Sequence, residues 1–408
     1  MGDSKLPTGM ELTALDERFR DDPYPVLREL RERSPVYEET QLRQYVYTRH
    51  DDVRAILKDR DLWSDPRKGN PGTLTYELLA PGVSDEGPSM LLMDDPEHRR
   101  LRSLVSRFFT PPAVEKWRPR VREVVARTLD AIEGPDLELI ERFAGPIPTV
   151  VIAEVLGIDA AKHGDFKQWS DDIVHVSFNP APTPEQARVG QAAHDALSAF
   201  FLAEIAARRA APGRDLLSDL VAAEEGDDRL TDAEIVKQCN LLLVAGNITT
   251  TDLIGNGVKA LLDHPDQLHA LRKEPALIDN AVEEMLRFDS PVTDSGRIAN
   301  RTVDFGGCPV PKGETLATSL AAANRDPDVY PDPDAFDVRR KDTHHQAFGG
   351  GRHMCLGAHL ARVEVQEAIG GLLRRHPQLA HGARGHRYAA VPSFRGLSEL
   401  WVATGGTP

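Results

Sequence analysis

The sequence is poor in the features that would place it among secreted, disulfide-rich or membrane proteins. Only three of its 408 residues are cysteines, Cys239, Cys308 and Cys355, and their wide spacing does not form a disulfide framework. No apolar run approaches the roughly 18 residues that a membrane span needs. Residues 1–19 are polar and lack the apolar core of a signal peptide. We therefore expect a cytoplasmic protein that does not associate with membranes.

Positive charge is also scarce, because 49 Lys and Arg residues stand against 64 Asp and Glu residues and the net charge is -15. Contacts with phosphates need clustered Lys and Arg, so nucleic acid is not an expected partner. The chain has no internal repeat, no low-complexity tract and no flavin or nicotinamide fingerprint. The glycine run of residues 349–351 follows no predicted strand, so it is not a dinucleotide-binding loop.

Residues 348–357, which read FGGGRHMCLG, are the most informative stretch. Glycines let the backbone pass close to a flat object. Cys355 stands just ahead of a helical pattern, where unpaired N–H groups and the positive end of the helix dipole stabilise a thiolate. A thiolate among N–H donors is what an axial haem ligand needs. The alternative is an ordinary buried cysteine before a helix, with the glycines in a turn.

A second stretch is an apolar-rich helix that begins at a capping box in residues 231–234 and continues to about His264 without a proline. At about 1.5 Å per residue it would cross the whole molecule. Its centre holds Ala245, Gly246 and a threonine run from Thr249, which are poor helix formers, and such inconsistency often marks a functional site. Close helix packing, with threonines bonded to the preceding turn, explains the same residues without a function.

A third feature is a pair of cationic side chains. His98 and Arg102 are four residues apart in a predicted helix that follows Asp94–Pro96, so both project from one face. Two such donors suit an anion. A solvated basic face is the other interpretation.

Together these stretches resemble the cytochrome P-450 family. Residues 348–357 match its haem-binding loop, F-G-x-G-x-H-x-C-x-G, at every fixed position. Residues 245–249 resemble its oxygen-binding helix, A-G-x-[DE]-T, and residues 284–287 match its E-x-x-R pair. The matches follow the family's order from about residue 21 to the end of the chain.

The resemblance implies a mainly α fold with a small β-rich subdomain. Haem b (iron protoporphyrin IX) would lie between the long central helix and the cysteine loop. On this basis residues 1–20 form an N-terminal tail and residues 21–408 a single domain, with β-rich parts at about 34–50 and 298–320. Alternating apolar and polar residues independently predict a hairpin over residues 35–48.

The resemblance also implies roles for individual residues. The cofactor-binding residues that it implies are Cys355, His98, Arg102, Arg297, His353, Phe348, Gly349 and Ala245. Cys355 would bind the iron and Phe348 would shield its sulfur, while the two histidines and two arginines would neutralise the propionates. Thr249 would offer its hydroxyl to bound oxygen. Glu284, Arg287 and Arg340 would form a structural network.

The oxygen-binding helix departs from the family at one position. Ile248 stands where the family has an acid, and it cannot carry a proton. Asp252 lies about one turn further along a similar face. We hypothesise that water linked to Asp252, or to the amide of Asn247, delivers protons in place of the missing acid.

The implied activity is that of a monooxygenase, which inserts one oxygen atom of O2 into a small, largely apolar organic substrate. Its electrons would come from a ferredoxin-type donor with its reductase. The residues of a basic docking patch would be Arg352, His359, Arg362 and Arg107, although a solvated helix face explains these charges as well. A peroxide-driven or reductive haem-thiolate enzyme and a non-catalytic haem-binding protein are the alternatives.

Overall fold

The computed structural model describes residues 6–83, 87–177, 183–225 and 228–405. Within these ranges the chain forms sixteen α-helices and eleven strands. The helices are α1 Glu17–Asp21, α2 Tyr24–Arg33, α3 His50–Lys58, α4 Leu74–Leu79, α5 Glu97–Ser106, α6 Pro111–Glu115, α7 Arg118–Asp130, α8 Pro146–Val155, α9 His163–Ser177, α10 Pro184–Ala210, α11 Leu216–Val221, α12 Asp232–Asp263, α13 Pro265–Lys273, α14 Ile278–Phe288, α15 Leu320–Ala323 and α16 Ala358–Arg375. The strands are β1 Val36–Glu39, β2 Gln44–Tyr47, β3 Asp136–Glu138, β4 Glu224–Glu225, β5 Asp228–Arg229, β6 Asp294–Ile298, β7 Val303–Phe305, β8 Cys308–Val310, β9 Thr315–Ser319, β10 Ala380–Tyr388 and β11 Leu397–Ala403.

The 32-residue helix α12 is the centre of the helical part and packs against α8, α10, α14 and α16. Its start is fixed as the sequence predicts: the Thr231 hydroxyl accepts a hydrogen bond from the Glu234 amide at 3.2 Å, and the Glu234 carboxylate accepts one from the Thr231 amide at 2.8 Å. The predicted long helix is therefore confirmed. None of the helices in the described ranges combines the length and the apolar character needed to cross a bilayer.

The larger sheet has the strand order β1-β2-β9-β6. The predicted hairpin is confirmed, since β1 and β2 pair antiparallel with Val36 opposite Tyr47. β9 runs parallel to β2, and β6 pairs antiparallel with β9, with Arg297 opposite Leu316. The sheet thus holds Arg297 in a fixed register.

A second sheet, in the order β10-β11-β3, was not anticipated. Strand β10 reads AHGARGHRY and is exposed over most of its length, so it lacks the alternation of apolar and polar residues that identifies a half-buried strand. Residues 389–396 form the turn between β10 and β11, and the antiparallel pairing of these two strands brings the chain back to the core.

Residues 6–20, which we expected to form a tail, instead pack against the domain. A turn of 3-10 helix at Gly9–Leu12 precedes α1, and Phe19 is buried in a cluster with residues of α2 and α15. The Glu39 carboxylate accepts hydrogen bonds from the Thr8 hydroxyl and the Gly9 amide. Residues 1–5 lie outside the described ranges.

A buried ion pair connects α14 to the segment that precedes the cysteine loop. Arg287 donates two hydrogen bonds to Glu284, at 2.7 and 2.8 Å, and Arg340 donates a third at 3.2 Å. Arg287 also donates to the Asn324 carbonyl, while the Asn324 side chain accepts from the Gln346 amide at 2.6 Å. The network therefore fixes the start of the cysteine loop, as expected of a structural element.

Candidate active site

The cysteine loop places the Cys355 sulfur directly before α16, as the sequence predicts. The Cys355 amide donates to the Phe348 carbonyl at 2.9 Å, which closes the loop. Burial raises the pKa of the Cys355 thiol, while the Gly357 N–H group and the cationic Arg102 and Arg362 act to lower it. Burial is the largest of these effects, so the thiol form is favoured here, while the N–H donor and the two cations would stabilise a thiolate bound to a metal ion.

The glycines of this loop leave room for a close neighbour. Gly349 and Gly351 both have φ of +65°, a conformation that L side chains rarely adopt. A Cβ atom at Gly351 would lie 2.2 Å from the Leu57 carbonyl oxygen, whereas one at Gly349 would point into open space. The half-buried Phe348 ring packs at the edge of the main core and lies 4.5 Å from the Arg362 guanidinium.

Four predicted cationic residues converge beside the loop. The His98 and His353 rings lie 4.1 Å apart, and the Arg102 guanidinium donates to the Met354 carbonyl at 2.6 Å. Arg297 is buried, and among the described residues it has no carboxylate partner. Burial lowers the Arg297 pKa to about 10. Burial and the nearby Arg297, His98, Arg352 and Arg102 lower the His353 pKa to about 2, and burial also lowers the His98 pKa.

This cluster has the electrostatics of an anion site. The His98 Nδ1 atom is buried without a hydrogen-bond partner and lies 3.6 Å from the nearest Asp95 oxygen. A buried guanidinium and a buried imidazole without bonded carboxylates are costly unless an anion completes them. Two carboxylates of a planar ligand would satisfy them.

A second candidate surface is one face of α12. Ala245 is exposed although it lies in the middle of a core helix, and its neighbours Val244, Ile248 and Thr249 are half-buried. A Cβ atom at Gly246 would meet no atom within 4 Å. The Thr249 hydroxyl donates back to the Ala245 carbonyl at 2.8 Å. This face is therefore a shallow notch that offers one hydroxyl.

The Asn247 version of our proton-delivery hypothesis is wrong. The Asn247 side chain accepts a hydrogen bond from Thr149 at 2.9 Å and donates one to Ser170 at 3.0 Å, so it faces α8 and α9. Its amide therefore lies on the side of α12 that packs into the core, away from Thr249. Asp252, by contrast, is buried on the same helical face as Ala245 and Thr249.

These features fit a haem. A flat ligand with two carboxylates would have a cysteine sulfur on one side, a notched helix on the other and a cationic cluster at its edge. Comparison with known proteins decides the matter: the sequence model of the cytochrome P-450 family matches residues 6–378. The chain belongs to the cytochrome P-450 family.

Two relatives of this P-450 are hydroxylases by name. The 6-deoxyerythronolide B hydroxylase of Saccharopolyspora erythraea is 39% identical over 376 residues, covering 90% of this chain and 91% of that protein. The vitamin D(3) 25-hydroxylase of Pseudonocardia autotrophica is 39% identical over 395 residues, covering 95% of each chain. The solved structure of PksS, from the bacillaene polyketide synthase of Bacillus subtilis 168, matches with a TM-score of 0.87 at 32% identity, over 96% of this chain and 99% of that one. The protein is thus a haem-containing oxidoreductase with the P-450 fold.

Sequence reasoning missed a buried carboxyl on α16. Glu364 is buried, and burial raises its pKa to about 8 although a hydrogen bond with Thr250 acts to lower it. The signal was present, since Glu364 lies four residues from both Leu360 and Ala368 on the apolar face of the helix. It connects α16, which follows the cysteine, to the threonine run of α12.

The predicted basic patch is smaller than expected. Arg362 forms a two-pronged ion pair with Glu283, at 2.5 and 2.8 Å, and Arg352 contacts Asp94 at 3.2 Å and donates to two backbone carbonyls. These two charges are therefore largely neutralised. Arg107 and His359 are exposed, and the apolar Met354 beside the cysteine is 44% exposed.

Proposed function

We propose that this P-450 inserts one oxygen atom of O2 into a largely apolar organic molecule, with electrons from a ferredoxin-type protein. The family relationship supports the monooxygenase class. The observations that support the proposal for this chain are the cluster of His98, Arg102, Arg297 and His353 beside the Cys355 loop and the exposed position of Ala245 on α12.

The residues would divide the work as follows. Cys355 would bind the haem iron, and the electron density of its sulfur favours cleavage of the O–O bond when the haem is bound. His98, Arg102, Arg297 and His353 would bind the propionates, with the two arginines suited to planar contacts. Because these residues lie on α5, β6 and the cysteine loop, they would hold the cofactor from three separate elements.

The distal side would handle oxygen and protons. Ala245 and Gly246 leave space against the helix backbone, so a small molecule can lie close to α12. The Thr249 hydroxyl, which donates to the Ala245 carbonyl, would accept a hydrogen bond from water in that space and would donate one only after turning away from that carbonyl. Asp252 would supply protons through water, since it shares the helical face of Thr249.

The substrate would lie against apolar side chains. Val244 and Ile248 border the notch on α12, and Val292 forms a backbone bridge with Phe394 at the turn of residues 389–396. As their names state, the two hydroxylases described above act on 6-deoxyerythronolide B and on vitamin D(3). We infer a largely apolar substrate with few polar groups.

The electron donor would dock on the face near Cys355. The support for this is that Met354, next to Cys355 in the chain, is exposed, as are Arg107 after α5 and His359 at the start of α16. An apolar spot rimmed by positive charge suits a small acidic protein, since the charges steer the encounter. The ion-paired Arg352 and Arg362 would contribute little.

Turnover with different oxidants tests the proposal. Purified holoprotein is screened for compounds that shift the Soret band, and each compound that binds is incubated with O2, ferredoxin, its reductase and reduced nicotinamide. We expect product that carries one oxygen atom from labelled O2. Product with hydrogen peroxide, but none with ferredoxin and O2, would instead favour the peroxide-driven alternative that Ile248 suggests.

A further inference from the structure

One stripe of α12 carries the small and polar residues Ala245, Thr249, Asp252 and Asn256. Their spacings of four, three and four residues place all of them within about 60° on the helix surface, because each residue turns the helix by about 100°. From Thr249 to Asn256 the stripe extends about 10 Å along the axis. It begins at the notch, where Ala245 is exposed, and leads toward the C-terminal end of the helix.

The far end of the stripe reaches a charged cleft on the molecular surface. The cleft has a volume of about 420 Å³, and its inner wall includes Asn256, Asp289 and Arg395. Asp289 accepts hydrogen bonds from the Tyr24 hydroxyl at 2.6 Å and from Arg395 at 2.5 Å. Solvent in this cleft is therefore in contact with titratable groups one helical turn beyond Asp252.

Asp252 is the buried middle of the stripe. It is 7% exposed, and in the described parts of the chain its carboxyl has no hydrogen-bond or ion-pair partner. A Cβ atom at Gly396 would lie 1.8 Å from its Oδ1 atom, so the carboxyl lies directly against that backbone. The nearby charged groups are Asp289, at the end of α14, and Arg395, in the turn before β11, and these two bind each other.

The environment keeps this carboxyl protonated. Burial and, secondarily, the negative charge of Asp289 raise the Asp252 pKa to about 8. An acid with a pKa close to ambient pH is well placed to give up and regain a proton.

Asn256 provides an unpartnered polar atom on the stripe. It donates from Nδ2 to the carbonyls of Asp289, at 3.2 Å, and Arg395, at 2.8 Å, which fixes its amide. Its Oδ1 atom is buried and has no partner among the described residues. Buried polar atoms that lack a protein partner are normally satisfied by ordered water. The stripe thus offers a site for water between the cleft and Asp252.

We propose that protons reach the notch from this cleft, through water held by Asn256 and through the Asp252 carboxyl. The inference rests on the proposed function, in which O2, RH, two electrons and two protons become ROH and water. Asp252 gives its proton to water beside Thr249 and takes another from water on the Asn256 side, so its own charge is restored. Asn256 is a positioning residue in this route, and Ile248 is bypassed.

Paired leucine substitutions on one helix test the route. Asn256→Leu fills the water site, whereas Asn240→Leu makes the same change on the opposite face of α12, where the Asn240 amide donates to Ser198. For Asn256→Leu we expect a severalfold lower yield of product per O2 consumed and a larger solvent isotope effect. Asn240→Leu should change neither quantity, and Asn256→Ser, which leaves room for water, should restore both.

Infrared spectroscopy gives a readout that does not depend on turnover. The C=O stretching band that Asp252→Asn removes identifies the protonated carboxyl, and its exchange in D2O is then timed. We expect exchange about tenfold slower in Asn256→Leu than in wild type or Asn240→Leu. If the Asn256→Leu variant loses the haem spectrum of wild type, the Gly396→Ala variant is used instead in both experiments. Its added Cβ atom would displace the Asp252 carboxyl.

The outcomes separate the two proposals. Equal exchange rates and equal product yields in Asn256→Leu and Asn240→Leu would overturn the route while leaving monooxygenation intact. Absence of the protonated carboxyl band in wild type at neutral pH would overturn it as well. If wild type makes no product with any donor but the exchange rates differ as expected, the proposed function fails and water access to Asp252 stands.

Discussion

Arg287 and Glu284 form an ion pair whose side chains are both completely buried, with the Arg287 Nε atom 2.7 Å from a Glu284 carboxylate oxygen. Arg287 also donates to the carbonyls of Asn324, Pro333 and Ala335. Arg287 thus makes five hydrogen bonds, two to Glu284 and three to carbonyls of the segment that leads to the cysteine loop. Such a pair is costly to break, because the remaining partner becomes an uncompensated buried charge.

Removal of this pair should mainly lower the free energy of unfolding of the protein. We expect Arg287→Ala to lower the free energy of unfolding by about 3–5 kcal/mol and to reduce haem content. The exposed pair of Arg339 and Glu274, at 2.8 Å, provides the control. Arg339→Ala should cost less than about 1 kcal/mol in the same urea titration. Equal losses in the two variants would contradict a structural role for the buried network.

Arg297 should matter for cofactor retention. Arg297→Gln removes the buried guanidinium that has no carboxylate partner in the described chain. We expect faster haem transfer to an acceptor protein, with the CO spectrum of the remaining holoprotein unchanged. Arg301→Gln changes an exposed arginine, 3.4 Å from Asp61, and should leave the transfer rate as in wild type. An unchanged rate in Arg297→Gln would argue against propionate binding by this residue.

Asp252 should make stability depend on pH. Its folded pKa of about 8 lies above the ordinary value of 3.8, so the folded state holds a proton that the unfolded state has released. Stability from this group is therefore present below about pH 4 and falls as pH rises toward 8. The free energy of unfolding, measured by urea titration at pH 5 and at pH 8.5, should fall less between these two values in Asp252→Asn than in wild type. Parallel losses would contradict the raised pKa.

The docking proposal predicts an effect of charge reversal at one exposed arginine. Arg107→Glu should raise the KM for an acidic ferredoxin severalfold and weaken its dependence on salt, because steering by charge is lost. Arg188→Glu reverses an exposed charge on α10, where Arg188 pairs with Glu185. That variant should behave as wild type. An equal effect of both substitutions would show that only net charge matters.

Local signals in the sequence identified the elements that form the site. The capping box at Thr231 sets the start of α12. The glycines near Cys355 indicate a loop, because Gly349 and Gly351 adopt a positive φ that other residues rarely adopt. Both features depend on residues close together in the chain. For the same reason the hairpin of β1 and β2 was predictable from alternation alone.

Features that depend on distant partners were not predictable in the same way. Asn247 faces α8 and α9 because Thr149 and Ser170, far away in sequence, bind its amide. Likewise, Arg362 is neutralised by Glu283 of α14. The contact between Asp252 and Gly396 joins α12 to the turn before β11. A single sequence gives the face on which such residues lie but not the group that meets them.

The most direct test of the account is the spectrum of the reduced protein with carbon monoxide. Wild type and Cys308→Ser, which changes a half-buried thiol outside the loop, should both show the red-shifted Soret band of thiolate-bound haem. Cys355→Ser should lose that band. A wild-type protein without the band, or a Cys355→Ser variant that keeps it, would contradict the assignment of Cys355 as the iron ligand.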